Sequence, residues 1–474
     1  MAEQDYTPPM PRTRPENASI LARLRLARRD VFASQPRRLY SAWMAQQRAV
    51  FFDSFTINQP DIVKLILEGR PDDFPKSPII GDTLKLLLGE SVFVTNGEQW
   101  KRQRRIIDPA FEGGRLREIF PAMVEAGNAC VARLSGHAPD QPVEIEFETA
   151  HAAADVIFRT LFTIPITDDK ARQVFYGFRD YQRAQPLMTF PALLKMPPWI
   201  PRFRSSKSAR AAAKIRGVLT DIIKVRQAEI AEGRAPRDLA TKIMTTADPQ
   251  TGETFDAQEM TDQVAIFFLA GHETSASALA WTLYLLASRP EVQERAAAEA
   301  AAAWDAAPEF GDMRKLGFVR DVFREALRLY PPVPMMVREA QKEERFRKRR
   351  VKTGSLCILS PWHLQRHERI WDRPHVFDPD RWKTPETRAT ARAAYMPFST
   401  GPRVCTGAGF AMIEGVILLA QLLRAFRFEP VEGRVPVPVQ HLTVRSEKGI
   451  WLRLAPRQSC SAEKVSQASG SPDA

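Results

Sequence analysis

A long and mostly apolar segment in the middle of the chain, from about Asp256 to Arg289, constrains the fold more than any other feature. Its pattern predicts one helix, which at about 1.5 Å per residue would span roughly 50 Å and cross a whole domain. A membrane span is the alternative, but the centre at 270–275 carries a glutamate and a histidine. Because an ionised carboxylate at the bilayer midplane costs about 2.5 to 3.5 kcal/mol, we expect a buried core helix with a functional break.

The rest of the chain favours a single large and mainly helical domain. Its 474 residues are 44% hydrophobic, which is enough to bury a large core. We expect an irregular arm at 1–35, one domain at 36–455 and a disordered tail at 456–474. Strand signals are few, at 355–360 and in two C-terminal runs that flank a turn at Gly449. The N-terminal stretch lacks the apolar run of a signal or anchor, which predicts a soluble protein. We further expect a cytoplasmic monomer.

Charge and cysteine content narrow the partners and the compartment. Lys and Arg number 68 against 56 Asp and Glu, and a net charge of +12 suits an acidic protein, nucleic acid or an anionic surface. Aromatic residues do not interleave with the basic ones, so nucleic-acid binding is disfavoured. The charged stretch from Arg338 to Lys352 contains both signs, which favours a solvated hairpin over a polyanion site. Four scattered cysteines indicate reduced thiols: Cys130, Cys357, Cys405 and Cys460.

The segment FSTGPRVCTG at 398–407 carries the strongest chemical signal. Gly401 and Gly407 permit a tight turn and a close approach of the backbone to a flat cofactor, and Arg403 can meet an anionic group at its edge. Cys405 precedes a helical pattern, and the N–H groups of a helix N-terminus lower a thiol pKa and favour a thiolate. The alternative is a structural cysteine buried in a glycine turn.

Three further patterns accompany the cysteine. Trp100 and Arg104 lie four apart on a basic helix and present an indole N–H and a guanidinium together. Glu325 and Arg328 lie three apart on an apolar helix, so that they can form a buried pair. At the centre of the long helix, Thr274 either bonds back to the carbonyl four residues earlier or donates a hydrogen bond into a groove.

These segments together resemble the cytochrome P-450 family, in the family's order along the chain from about residue 36 to 455. The cysteine segment matches its F-x-x-G-x-R-x-C-x-G signature at Phe398, Gly401, Arg403, Cys405 and Gly407. The resemblance implies a mainly α prism with a small β region, in which a long central helix carries the oxygen-binding groove. It also implies one haem b, with Cys405 as the axial ligand of its iron.

The same resemblance implies roles for the other patterns. A W-x-x-x-R motif implies that Trp100 and Arg104 bind a haem propionate, as Arg338 and Arg403 would. An A-G-x-D/E-T motif implies that Glu273 passes protons and Thr274 donates to oxygen, while His272 fills the variable position between them and Gly271. The arginine of an F-x-P-x-R-W segment joins the buried pair as scaffold, which gives the set Glu325, Arg328 and Arg381.

The implied activity is a monooxygenase reaction that uses O₂ and NAD(P)H-derived electrons. Those electrons would come from a separate ferredoxin or flavodoxin with its reductase, docked on the basic residues Lys101, Arg102 and Arg105. Apolar side chains indicate a lipophilic substrate of the fatty acid, terpenoid, steroid or carotenoid class. The apolar segment 187–203 could line the pocket or touch a membrane.

Two other functional classes stay open. The chain could be a haem-thiolate isomerase or peroxygenase, which would turn over without NADPH and would tolerate loss of Thr274. It could instead be a non-catalytic haem sensor or a helical binding protein. The resemblance favours the monooxygenase because family members that run on peroxide alone tend to lack the acid–alcohol pair of Glu273 and Thr274.

Overall fold

A computed structural model describes residues 5–48, 53–138, 141–184, 206–304 and 308–457. The segment 187–203 and residues 458–474 of the expected tail lie outside them. The helices are α1 Ile20–Arg29, α2 Pro60–Lys64, α3 Pro78–Leu88, α4 Gly97–Ile107, α5 Gly113–Leu134, α6 Ile145–Phe162, α7 Asp169–Ala184, α8 Ser206–Ala231, α9 Leu239–Thr245, α10 Ala257–Ala287, α11 Pro290–Ala303, α12 Gly317–Leu329, α13 Pro361–Leu364, α14 Pro385–Ala394 and α15 Ala408–Ala425. The strands are β1 Met44–Arg48, β2 Asp53–Ile57, β3 Val143–Glu144, β4 Met336–Glu339, β5 Glu344–Phe346, β6 Arg349–Val351, β7 Leu356–Leu359, β8 Phe426–Pro430, β9 Pro438–Gln440, β10 Val444–Ser446 and β11 Trp451–Pro456.

The long central helix is α10, which confirms the predicted core helix to within two residues at each end. Asp256 caps its N-terminus through a capping box with Glu259. Most of its side chains are buried, and it packs against α6, α8, α12 and α15. A Cβ on Gly271 would lie 2.3 Å from the Ile157 side chain, so glycine is what lets α10 approach α6 this closely. Residues 270–275 are helical throughout, so the expected break does not interrupt the helix.

The β structure is divided among four small sheets. The largest has the order β1-β2-β7-β4, with β2 and β7 parallel and the other pairs antiparallel. Its strand β7 forms where the segment 355–360 predicted one. The two predicted C-terminal strands also form, but they do not pair with each other across Gly449. Instead β10 pairs with β9, whereas β11 lies between β3 and β8.

Two observations concern the ends of the domain and its apolar helices. The N-terminal arm is irregular before α1, yet it is held on the core, since the Tyr330 hydroxyl donates to the carbonyl of Pro9 over 2.7 Å. Among the described helices, α15 alone is long and apolar enough to cross a membrane by length and composition, and 61% of that stretch is buried inside the protein. The central helix α10 does not meet the same criterion.

Candidate active site

The cysteine loop is held in a tight turn by its own backbone. The amide of Cys405 donates to the carbonyl of Phe398 over 2.9 Å, and residues Gly401–Arg403 form one turn of 3-10 helix. Gly401 has φ +73°, and a Cβ there would lie 2.2 Å from the carbonyl oxygen of Leu67. Any side chain at position 401 would therefore displace the loop, which explains why the motif has glycine there.

The thiol of Cys405 is accessible but closely surrounded by protein. Burial by the surrounding protein raises its pKa. Smaller effects act in the opposite direction: a hydrogen bond from the Gly407 backbone N–H, just before α15, and the charge of Arg104. The predicted helix N-terminus is thus present, but the expected net lowering of the pKa is wrong, because burial outweighs it. Metal coordination is what would deprotonate this thiol.

The other described cysteines do not compete for that role. Burial raises the pKa of Cys130 to about 11 and that of Cys357 to about 12, and both side chains are buried. Cys460 lies outside the described residues. Of the three thiols that the structure describes, Cys405 is therefore the accessible one.

A group of cations surrounds the indole ring of Trp100. The centroid of the ring lies 4.8 Å from Cζ of Arg403, 5.9 Å from Nζ of Lys76 and 6.0 Å from Cζ of Arg104. Arg338 is 7% exposed, and it lies close enough to Arg403 for the charge of Arg403 to lower its pKa. Of the four cations, only Arg104 forms an ion pair with a described carboxylate, Asp108, at 2.9 Å. The fold thus brings Trp100, Arg104, Arg338 and Arg403 together, while their predicted binding of a haem propionate stays a prediction.

The cation cluster is electrostatically unfavourable by itself. Burial and the charge of Arg403 lower the pKa of Arg338 to about 10. Arg403 donates from Nη1 to Oδ1 of Asn96 over 2.6 Å, while its buried Nε has no described hydrogen-bond partner. Buried cations in this arrangement call for an anion, and the two propionates of a porphyrin carry the required charge.

Lys76 belongs to this cluster, although the sequence analysis did not identify it. Its Nζ donates to the carbonyls of Val92 (2.6 Å) and Phe93 (3.0 Å). Burial, followed by the charges of neighbouring arginines, lowers its pKa to about 6. Lys76 lies in an ordinary FPKSP context, and only the fold brings it to Trp100.

Replacing Lys76 with methionine is expected to stabilise the cofactor-free protein and to weaken the binding of haem in the cofactor-bound protein. In the cofactor-free protein the folded-state pKa is about 6 against an ordinary 10.5, so the lysine destabilises the fold increasingly as pH falls from 10.5 to 6. The variant should lose this dependence and melt at a higher temperature at pH 7. With cofactor bound, it should release haem faster. The matched control is the exposed Lys207, whose methionine variant should change neither quantity.

Glu273 is buried and occupies a polar network between α10, α7 and β10. One carboxylate oxygen accepts from the Thr443 hydroxyl over 3.0 Å and from Arg445 over 3.2 Å, and the other accepts from the amide of Gln182. Arg445 also donates to the side-chain oxygen of Gln182 over 3.3 Å, and it is 35% exposed. Glu273 is therefore connected to α7 and β10, and its partner Arg445 reaches solvent.

Thr274 and His272 lie on different sides of α10. The Thr274 hydroxyl donates to the carbonyl of Ala270 over 2.6 Å, the ordinary back-bond of a mid-helix threonine. Ala270 is exposed although its helical neighbours are mostly buried, so this side of the helix borders an accessible space. His272 is buried, its ring stacks on Phe268 at 4.5 Å, and burial lowers its pKa. The histidine thus turns towards the neighbouring helix α7 through Phe178.

Glu414 connects the helix after the cysteine loop to the helix that carries Thr274. Its carboxyl accepts a hydrogen bond from Ser275, the residue after Thr274, and its other oxygen has no described partner. Burial raises its pKa to about 8. This bond joins α15, which begins three residues after Cys405, directly to α10, which carries Thr274.

The predicted scaffold of Glu325, Arg328 and Arg381 forms. Arg328 donates to both carboxylate oxygens of Glu325 (2.8 and 3.0 Å), and Arg381 donates to one of them over 2.9 Å. Burial opposes the charge on Glu325, but its two arginines outweigh it and lower its pKa. The backbone carbonyl of Gln365 accepts a hydrogen bond from Nη1 of Arg328. The side-chain oxygen of Gln365 accepts another from the backbone N–H of Met396. The cluster therefore supports the start of the cysteine loop.

The basic residues expected to dock an electron donor are already paired within the chain. Lys101 lies 2.8 Å from Glu98, Arg102 lies 2.6 Å from Glu259, and Arg105 lies 2.6 Å from Asp248. Sequence analysis counts the cations of α4 but not these pairings, two of which involve the distant residues Asp248, before α10, and Glu259, on α10. The three residues therefore present less net positive charge than the sequence indicates.

The residues present fit an iron porphyrin. The accessible Cys405 offers a sulfur ligand, and the unpaired Nε of Arg403 lies in a cation cluster suited to carboxylates. A Cβ built on Gly407 meets no heavy atom within 4 Å, so the loop leaves room beside the sulfur. Cys405 would hold the iron, and Lys76, Arg338 and Arg403 would hold the carboxylates.

Comparisons with known proteins agree with this geometry. The family model described as Cytochrome P-450 matches residues 30–453. Cyclooctat-9-en-7-ol 5-monooxygenase of Streptomyces melanosporofaciens is 31% identical over 79% of this chain and 80% of its own length. Protein LUTEIN DEFICIENT 5, chloroplastic, of Arabidopsis thaliana is 28% identical over 85% of this chain and 70% of its own. The crystal structure of the heme domain of a cytochrome P450DA mutant shares the fold, with a TM-score of 0.77 and 24% identity over 95% of this chain and 98% of that one.

Proposed function

The chain belongs to the cytochrome P-450 family and is a monooxygenase, and we propose that it inserts one atom of O₂ into a lipophilic substrate. The family implies a haem cofactor, and we propose haem b. The observation that carries the proposal is the bond between Glu414 and Ser275, which joins the helix after Cys405 to the helix that carries Thr274. When bound, haem with a thiolate ligand supplies the chemistry of O₂ activation.

We propose that Glu273 and Thr274 deliver protons on the accessible side of α10. The carboxylate of Glu273 on α10 contacts the partly exposed Arg445, and Thr274 is the next residue in the chain. A proton can then pass from solvent beside Arg445 to Glu273 and on to the hydroxyl of Thr274. That hydroxyl gives up its bond to the Ala270 carbonyl and donates into the accessible space. An acid and an alcohol in sequence suit this stepwise delivery.

Exposed apolar side chains and the similarity to known monooxygenases support a proposal for the substrate class. Phe93 and Val333 are large, exposed and apolar, at 41% and 38% of their surfaces, and Met335 is half-buried nearby in sequence. We propose a lipophilic substrate of the terpenoid or fatty acid class, in keeping with the relative whose name is cyclooctat-9-en-7-ol 5-monooxygenase. Residues 187–203 are part of the proposed pocket only by sequence.

We also propose the setting in which the enzyme works. A separate ferredoxin or flavodoxin, with its reductase, would deliver the electrons of NAD(P)H. The enzyme would be a cytoplasmic monomer with a single domain at 36–455. Residual positive charge near α4 would guide the acidic donor, although Lys101, Arg102 and Arg105 are paired. Reconstitution with each type of donor, read as the rate of haem reduction, tests this assignment.

Replacing Thr274 with alanine is expected to uncouple NADPH consumption from product formation. Proton delivery then fails at its last donor, so the electrons reduce O₂ to peroxide or water without forming product. Product per NADPH should fall by about a hundredfold, the lower end of the contribution typical of a positioned proton donor. The measurement is the ratio of product to NADPH consumed, together with released peroxide. Thr274→Ser keeps the hydroxyl and serves as the matched control. Undiminished coupling in the alanine variant would contradict the proton-delivery role of Thr274, whereas turnover without NADPH would favour the isomerase or peroxygenase class.

A further inference from the structure

The hairpin formed by β5 and β6 carries a dense group of exposed cations. Five basic side chains on it and just after it are exposed and form no ion pair with a described carboxylate: Arg345, Arg347, Lys348, Arg349 and Lys352. Two of them donate only to neutral amides, Arg347 to Gln59 over 2.7 Å and Arg349 to Gln46 over 3.1 Å.

The acidic residues of the same stretch do not neutralise this group. Glu343 pairs with Arg350 at 2.6 Å, and Glu344 pairs with Arg70 on the adjoining segment. The mixture of signs in the sequence favoured an ordinary solvated hairpin. In the structure both carboxylates are already used by other arginines, so the outer surface of the hairpin is positive.

The backbone at the tip also disfavours these side chains. Strand β5 ends at Phe346 and β6 begins at Arg349, so Arg347 and Lys348 form a two-residue turn with φ +47° and +64°. Asn-Gly is the favoured sequence for such a turn, because both residues must adopt the left-handed region. The turn therefore presents two long cations where smaller residues would be more stable.

The register of the two strands adds a second destabilising interaction. Arg345 lies directly opposite Arg350 in the antiparallel register, and like charges at opposed positions repel. An anionic partner across the hairpin would relieve this repulsion. Strain at the tip and repulsion along the strands thus accompany the same surplus of charge.

The absence of apolar contact surface narrows the kind of partner. The hairpin's two apolar side chains, Phe346 and Val351, are 4% and 0% exposed. Stable protein interfaces usually have an apolar or aromatic centre, and proteins that bind single-stranded nucleic acid usually stack its bases on aromatic side chains. Phosphate headgroups of a bilayer need only clustered Lys and Arg near the surface.

We propose that the β5–β6 hairpin docks the protein onto a membrane surface rich in anionic phospholipids. The inference rests on the proposed function to the extent that a lipophilic substrate partitions into such a membrane. The cations 345, 347–349 and 352 bind the headgroup phosphates, and no apolar segment of the hairpin inserts. The association is peripheral and is weakened by salt.

The test is co-sedimentation of the purified full chain with two kinds of vesicle, phosphatidylcholine alone and phosphatidylcholine mixed equally with phosphatidylglycerol. We expect binding to the mixed vesicles only, with release at high salt. The variant Arg345→Gln/Arg347→Asn/Lys348→Gly/Arg349→Gln should bind more weakly by roughly fivefold for each charge removed. It should also melt at a higher temperature, since its turn is relaxed.

A matched control removes the same number of exposed charges elsewhere, as Arg392→Gln/Arg424→Gln/Lys448→Gln/Arg453→Gln. Equal loss of binding in this control, or full binding by the hairpin variant, would overturn the proposal. Binding of the wild type to an acidic protein or to DNA but not to either vesicle would overturn the lipid assignment. Because no turnover is measured, neither result bears on the monooxygenase reaction.

Discussion

Replacing Cys405 with serine is expected to abolish the red-shifted Soret band of the reduced carbon monoxide complex. That band reports a thiolate ligand on haem iron, and Cys405 is the accessible thiol among the described cysteines. Monooxygenase activity should be lost completely, because a hydroxyl ligand does not supply the electron density that favours O–O cleavage. The measurement is the difference spectrum of the purified variant after haem reconstitution.

Cys130→Ser provides the matched control, since it makes the same chemical change at a buried thiol on α5. The control should keep the band and lose only stability. An unchanged band in the Cys405 variant would show that another side chain holds the iron. Loss of the band in both variants would point to misfolding, which circular dichroism of the two proteins distinguishes.

Replacing Glu325 with glutamine is expected to reduce the free energy of unfolding by about 3 to 5 kcal/mol. The substitution keeps the shape of the side chain but leaves Arg328 and Arg381 without their shared counter-charge at sites 0% and 5% exposed. Urea unfolding of the haem-bound protein, followed by fluorescence, measures the change. Loosening at Met396 should also lower the fraction of protein that retains haem.

The effect of this substitution should depend on pH. The folded-state pKa of Glu325 is below its ordinary value of 4.5, so its contribution is present above that value and is lost as pH falls through the folded-state pKa. The difference between wild type and variant should therefore shrink in acid. A difference that grew instead would mean that burial, and not the arginines, dominates.

Glu118→Gln is the control for the Glu325 experiment, because Glu118 pairs with Arg115 at the same three-residue spacing on an exposed helix surface. Its cost should be at most about 1 kcal/mol. The same spacing therefore has very different consequences in the two places. Burial and the third partner, Arg381, account for the difference.

Local patterns in the sequence predicted the parts of the site that lie close together in the chain. The cysteine loop, α10 and the pair Glu325 and Arg328 were predicted because each lies within a stretch of about a helix or a turn, where spacing determines geometry. Partners from distant segments were not predicted. Arg445, for example, pairs with Glu273 from a strand near the C-terminus.

Charges illustrate the same limit. The sequence shows the cations of α4 and of the β5–β6 hairpin equally well. It predicted that α4 docks an electron donor and that the hairpin is only solvated. The fold pairs Lys101, Arg102 and Arg105 with carboxylates, whereas it leaves the hairpin cations largely unpaired. Electrostatic character depends on distances between charges, and those distances are a property of the fold.

By itself the sequence predicted Cys405 as the iron ligand, and it determined the glycine that its turn requires, the central helix and the order of the motifs around it. These depend on backbone conformation and on contacts within a few residues. Only the tertiary structure decided that Lys76 joins the cations around Trp100, that burial raises the pKa of Cys405, and that Glu414 connects α15 to α10. Each of these results from desolvation or from a contact between segments far apart in the chain, which only folding brings together.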